Sequence, residues 1–206
     1  MLRDNIINTS VKLFRSMGIR SVTMEMVADE IGISKRTLYE HFKTKDELVE
    51  TCVHSELNRL IGKDTSIIER SSHIIETYLL FMWSHIQELR QTNYLFIKDL
   101  RQLYPSSLYC MTTEFESRIK EGIKNFIEKG KGQNIFRPEI NVELATIILF
   151  EQLQMLMENS EKIFSMHYFS PAEVFEHISI NFIRGMATKE GVELIDHYYN
   201  EHQLTN

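Results

Sequence analysis

Cysteine is almost missing from this chain: Cys52 and Cys110 are the only two in 206 residues. They lie far apart in helical, partly apolar patterns, which excludes a disulfide framework and a paired-cysteine metal site and predicts two buried, reduced thiols. Proline and glycine are also scarce, at three and eight. Most of the glycines fall between helical patterns, so an all-α fold is expected. No stretch reaches the roughly 18 apolar residues of a membrane span, and MetLeuArgAspAsnIleIleAsnThrSer at the start has no long apolar run. A cytoplasmic protein without membrane contact is expected. A Walker loop, a dinucleotide fingerprint and a nucleophile elbow are all lacking, so nothing in the sequence supports catalysis or a cofactor.

Positive charge is short overall. The net charge is −6 and the pI about 5.8, which does not suit a polyanion binder. The imbalance is local, however: residues 1–50 hold 8 Lys+Arg and 8 Asp+Glu, whereas residues 51–206 hold 15 and 21. Between Gly32 and Lys45 the bases Lys35, Arg36, Lys43 and Lys45 face one acid, Glu40. A basic stripe therefore sits on a chain that elsewhere repels nucleic acid, and non-specific binding should be weak and salt-sensitive. The 43% apolar and 10% aromatic content is enough for a packed core.

That stripe coincides with a hinge between two short amphipathic helices. Thr23 is a good N-cap, and Met24, Val27, Ala28 and Ile31 behind it recur on one helical face. Gly32 suits the left-handed backbone that ends a helix. Ser34 caps the next helix, where Ile33 can staple onto Leu38. Leu38 and Phe42 then point inward, leaving Lys35, Arg36, Thr37 and Tyr39 outward. Thr44 and Glu47 have the spacing of a capping box, so a third helix starts there. This is a helix-turn-helix, and it predicts double-stranded DNA as a partner.

The run from Thr23 to Leu48, ThrMet…AlaXXXGlyIleSerLysXXXLeuTyrXHisPheLysXLysXXLeu, resembles the DNA-binding signature of TetR-family transcriptional regulators. The likeness is strong over about the first fifty residues, and the PheIleArgGly run at Phe182 to Gly185 agrees with it. It implies a homodimer that controls transcription, most often as a repressor released by a small molecule. Two residues depart from the family pattern. Arg36 stands where glycine is common, adding a cation able to take a guanine edge; Glu40 stands where an aromatic or basic residue is common, and an acid there is repelled by phosphates.

With this reading, Lys35, Arg36 and Thr37 are expected nearest the base edges and Thr23, Tyr39, His41 and Lys45 on phosphates. Ser34 and Lys43 complete the DNA-binding set. The domains expected are 1–47 for DNA and 48–206 for effector binding and dimerisation. Helix 1 should span Arg3 to Met17, burying Ile6, Ile7, Val11 and Phe14. A longer helix should leave from Thr44 with Leu48, Cys52, Leu57 and Ile61 inward. Further helices are expected near 66–90, 93–103, 107–129, 140–160, 171–187 and 190–202, with breaks at Pro105, at Gly130-Lys131-Gly132 to Pro138, and at Ser170-Pro171.

Leu149, Leu153 and Leu156 on one late helix, and Phe175, Ile178, Phe182 and Met186 on the next, form apolar stripes. A helix apolar on two sides needs two partners, within its own subunit or across a dimer. The family resemblance implies the dimer, through a four-helix bundle. Phe81, Trp83, Tyr104, Phe150 and the polar Glu151 are candidates for an apolar pocket with polar anchors, although an ordinary core has the same composition. The i,i+4 pairs Glu69/His73, Glu173/His177 and Glu193/His197 lack the converging third ligand of a metal site and read as solvated pairs. The expected function is a sequence-specific regulator, a repressor released from an inverted-repeat operator by a small, largely apolar effector. The alternative is a helical adaptor that keeps the motif only as a packing unit.

Overall fold

The computed structural model describes the backbone of residues 1–165 and 169–203, and the side chains of 1–105, 116–156 and 169–201. Cys110 lies outside the described side chains. Among the described residues there are ten helices and no strand. They are α1 (Leu2–Met17), α2 (Met24–Ile31), α3 (Lys35–His41), α4 (Lys45–Arg70) and α5 (Ile74–Gln91), then α6 (Tyr94–Leu103), α7 (Pro105–Gly132), α8 (Val142–Ser165), α9 (Pro171–Met186) and α10 (Lys189–Gln203). The chain forms two compact units, one of residues 1–64 with 91–114 and the other of residues 65–90 with 115–206.

In the first unit, Ile6, Ile7, Val11 and Phe14 of α1 are buried against Met24, Val27 and Ala28 of α2, Leu38 and Phe42, and Leu48, Val49, Cys52 and Val53 of α4. Leu100 of α6 joins the same core. Complete burial of a Leu or Phe side chain contributes about 1.5–3 kcal/mol, so this small domain rests on its apolar faces rather than on helix propensity. The Cys52 thiol sits 3.7 Å from the Ile7 carbonyl, and burial pushes its pKa up to about 12, which makes it inert. The compact unit is larger than residues 1–47: it takes in α4 as far as Asp64 and residues 91–114, with Phe96, Leu100 and Tyr104 packed in its core.

In the second unit, Ile75, Leu79, Met82 and Ile86 form the inward row of α5, packed with Ile127, Phe136, Ala145, Ile183 and Ile195. The segment after α7 is pinned by an isolated antiparallel bridge, Phe136 to Ala187, and by the Thr188 hydroxyl donating to the Asn134 carbonyl at 2.9 Å.

Three expected boundaries move. The helix expected from residue 66 begins at Ile74, because α4 runs on to Arg70. The break falls at a serine pair: the Ser72 N–H and hydroxyl both donate to Glu76, at 2.8 Å each, and His73 Nδ1 accepts from the Ile75 N–H. Gly130 does not break α7, which continues to Gly132. Glycine is needed there for space, since an added Cβ would lie 2.2 Å from the Phe136 ring. Finally, α8 extends to Ser165.

Candidate nucleic-acid interface

Local chemistry sets each turn of the motif. Thr23 Oγ1 accepts from the Met26 N–H at 3.1 Å and starts α2. Gly32 ends it in the left-handed region at φ 77°, with its N–H returned to the Ala28 and Asp29 carbonyls. Ser34 Oγ accepts from the Thr37 N–H at 3.0 Å and starts α3. Phe42 closes α3 in extended backbone as its cap, fully buried, with Arg3 5.0 Å above its ring. The capping box before α4 is present with a shift: Thr44 Oγ1 takes the Glu47 N–H, while the Glu47 carboxylate reaches back to the Lys43 N–H at 2.7 Å.

Burying Leu38 and Phe42 turns the opposite face of α3 outward. Thr23, Ser34, Lys35, Arg36, Tyr39 and Lys43 are exposed, and Thr37, His41 and Lys45 are half-buried. The basic stripe is tempered by its own acids. Lys35 Nζ is 3.6 Å from Glu25, and Arg36 Nε donates to Glu40 at 3.3 Å. Thr37 Oγ1 shares a 2.8 Å hydrogen bond with Ser34, and Lys43 Nζ reaches the Tyr39 carbonyl at 3.5 Å.

Lys45 departs most from the expected arrangement. Its ammonium donates to the Ile19 carbonyl at 2.5 Å. Partial burial lowers its pKa, opposed by Asp99 and Asp46. From α6, Asp99 accepts the Arg20 N–H at 2.7 Å, and Tyr104, the C-cap of that helix, donates its hydroxyl to Asp46 at 2.6 Å. Burial, followed by the hydrogen bond to Asp46, pushes the Tyr104 phenol pKa up. Sequence reasoning missed Asp99 as part of this site. Its signal was an acid one turn from Phe96 and next to Leu100, on the apolar side of a short helix.

The effector candidates are dispersed. Tyr104 belongs to the first unit, where its hydroxyl is committed to Asp46. In the second unit Trp83 stacks on Tyr199 with centroids 6.0 Å apart, Phe150 is buried with Lys120 Nζ 4.3 Å from its ring centre, Phe81 is half-buried, and Glu151 is exposed. A groove of about 590 Å³ in that unit is lined by Gln152, Phe169, Glu173, Val174, His177, Ile178, Asn181 and Phe182, and by none of these candidates.

The expected interface residues also divide. Leu149, Leu156 and Met186 are buried within their own unit, whereas Leu153, Phe175, Ile178 and Phe182 are half-buried. Among the described residues of α8 the exposed large apolar side chains are Leu144, Ile147, Ile148 and Met155. The Glu/His pairs fare differently: α4 ends between Glu69 and His73, Glu173 accepts from the N–H of the cap Ser170 while His177 still lowers its pKa, and His197 lies 3.6 Å from Glu201. Among the described residues no three His, Cys, Asp or Glu side chains gather as metal ligands, and no helix is long and apolar enough to cross a membrane.

A three-helix core presenting a capped, outward-facing α3 defines a helix-turn-helix DNA-binding protein. Residues 6–52 match the bacterial regulatory proteins of the tetR family. Over that segment the chain carries the DNA-binding domain of the tetR family of bacterial regulatory proteins. It is similar to the HTH-type transcriptional repressor KstR2 of Rhodococcus jostii (strain RHA1), 25% identical over 146 residues that cover 69% of this chain and 72% of that protein. It is also similar to the biofilm operon icaADBC HTH-type negative transcriptional regulator IcaR of Staphylococcus aureus (strain Newman), 21% identical over 63% of this chain and 72% of that protein. The fold matches a TetR-family transcriptional regulator from Marinobacter aquaeolei VT8 with a TM-score of 0.73 and 22% identity, covering 96% of this chain and 98% of the other.

Proposed function

We propose that this regulator is a cytoplasmic repressor that binds an inverted-repeat operator as a homodimer and is released from it by a small, largely apolar effector. The observation that carries the DNA half is the division of α3 into a buried side, Leu38 with the cap Phe42, and an exposed side bearing Lys35, Arg36 and Tyr39. The N-terminal end of α3 enters the major groove, with Lys35, Arg36 and Thr37 at base edges. Thr23, Ser34, Tyr39, His41 and Lys43 hold the backbone.

Dimerisation uses the outward sides of α8 and α9. Leu144, Ile147, Ile148 and Met155 are exposed on one, and Val174, Ile178 and Phe182 line the groove on the other. An apolar surface of this extent is stabilised by a second copy. Repression is supported by the names of KstR2 and IcaR. Release follows from a helix, α4, that begins beside the recognition helix at Lys45 and continues to Arg70 in the second unit. An effector that favours one arrangement of that helix changes operator affinity by as much as it discriminates between the two arrangements.

The test is selection of duplexes from a random pool by the full chain, followed by footprinting. The expected result is an inverted repeat whose half-sites lie about 34–36 Å, one helical turn, or a multiple of it apart. A monomer on an undivided, non-palindromic site would overturn the dimeric reading. Enrichment of no duplex would leave the motif as the packing unit of an adaptor.

A further inference from the structure

A connection between two helices contains backbone groups that neither helix can satisfy. Between α1 and α2, the peptide group joining Ile19 and Arg20 is held at both ends by charged side chains. Its carbonyl accepts from Lys45 Nζ at 2.5 Å, and its N–H donates to Asp99 Oδ2 at 2.7 Å. The ammonium at the oxygen and the carboxylate at the N–H both run with the peptide dipole, so the two charge-assisted bonds reinforce one another. Asp99 is only 6% exposed.

Two further contacts press the same part of α6 onto the same turn. Asn93, the cap of α6, donates its N–H to the Arg15 carbonyl at 2.8 Å and its side-chain amide to the Ser16 carbonyl at 2.9 Å. Gly18, at φ 84°, lies so close that an added Cβ would meet Leu95 Cβ at 2.9 Å and Asp99 Oδ2 at 3.0 Å. The clamped turn leads directly to Thr23, the cap of α2, and through α2 to the hinge at Gly32.

We propose that Asp99 and Lys45 are positioning residues for operator recognition: together they fix the α1–α2 turn, and Lys45 acts on that turn rather than on a DNA phosphate. The inference rests on the regulator reading. It makes α6, outside the matched segment 6–52, a working part of the DNA-binding unit. A phosphate would have to draw Lys45 away from the Ile19 carbonyl and strip that acceptor of its charged donor, which favours the turn.

The test uses the full chain, a duplex enriched from a random pool by the wild type, and a scrambled duplex of equal length. Asp99→Asn keeps the shape and an acceptor oxygen but removes the charge, and Lys45→Met removes the donor. Each should cut the preference for the enriched duplex by about tenfold or more, the factor that a lost charge-assisted bond commands. Helicity and the salt slope should stay unchanged. Lys45→Arg should recover most of the preference, and the double variant should lose little more than the worse single one. A Lys45→Met protein that weakens on both duplexes alike, with the salt slope reduced by about 0.9, would place Lys45 on a phosphate and overturn the proposal. Wild-type preference in Asp99→Asn would overturn it too. Failure of the wild type to enrich any duplex would reject the regulator reading instead. The clamp is then decided by amide exchange in Asp99→Asn: faster exchange at both Arg20 and Leu38 supports it, and acceleration confined to Arg20, or absent, overturns it.

Discussion

Arg36 and Glu40 face each other across one turn of α3, with the guanidinium Nε donating to the carboxylate at 3.3 Å and both groups largely in solvent. Exposed i,i+4 pairs are worth about 0.3–0.5 kcal/mol, whereas a bidentate Arg–guanine contact discriminates by about 1–3 kcal/mol. On the proposed reading the guanine contact outweighs the pair, and Arg36 should leave Glu40 on binding. Arg36→Ala should relax one operator position at a cost of about 1–3 kcal/mol there, and Glu40→Gln should tighten all duplexes by about twofold. Systematic base substitution measures both; uniform loss across positions in Arg36→Ala would place Arg36 on the backbone.

Ile148 and Phe182 test the dimer. Ile148 is exposed on α8, so Ile148→Glu leaves the subunit core intact, whereas Phe182 lines the groove and also packs against the core of the second unit, so the helicity of Phe182→Glu is measured beside its oligomeric state. Each should give a helical monomer in sedimentation and abolish binding to the inverted repeat. A dimer that survives both moves the interface elsewhere.

The fold was legible wherever one residue decides one backbone step. Thr23, Gly32, Ser34 and Leu38 mark the motif because capping and a left-handed turn are local requirements. The break before α5 was not legible, because a serine pair and Glu76 supply it without proline or glycine. Gly130 misled for a related reason: its use is clearance for a ring six residues on, which only tertiary packing reveals. At the candidate site, helical spacing gave the outward residues of α3. It gave no hint that Lys45 turns inward to Ile19, since a lysine beside a DNA-binding motif looks the same whether its ammonium meets a phosphate or a carbonyl.

Two glycines of α7 should respond in opposite ways to alanine. At Gly130 the new methyl would overlap the buried Phe136 ring, so Gly130→Ala should destabilise by about 1–3 kcal/mol, as overpacking does. Gly122 is exposed and meets nothing within 4 Å among the described residues, so Gly122→Ala should stabilise by about 0.4–1 kcal/mol through the unfolded chain. Denaturant titrations of the two variants check the signs. Equal effects would mean that the Phe136 ring relaxes freely.

Glu173 ties stability to acid. Its carboxylate accepts the Ser170 N–H and hydroxyl, and first the backbone bond and then the hydroxyl bond hold its pKa below the ordinary 4.5. A carboxylate depressed in the folded state binds fewer protons there than in the unfolded chain. Its contribution is therefore present above the ordinary value and lost as pH falls through the depressed one. Glu173→Gln should be less stable than wild type at neutral pH, and the two should converge once both forms are uncharged. A stability gap that stays constant through the acid range would remove the box as its cause.

Effector control has a built-in optical probe, because Trp83, the only tryptophan, stacks on Tyr199 in the second unit. A compound that enters the apolar interior of that unit and alters the stack changes its fluorescence, so effectors can be screened directly on the full chain. Binding alone is not control. An effector releases DNA only by the ratio of its affinities for the DNA-bound and free arrangements, typically about 1–3 kcal/mol of coupling. Linkage requires the operator to weaken effector binding by the same factor. Titrating each compound against Trp83 with and without the selected duplex should therefore shift its Kd by about 5–150-fold, equal to the shift the effector imposes on operator affinity. A compound that binds tightly but with the same Kd in both titrations is a ligand without being an inducer, and if all hits behave so, release by an effector at this unit is wrong.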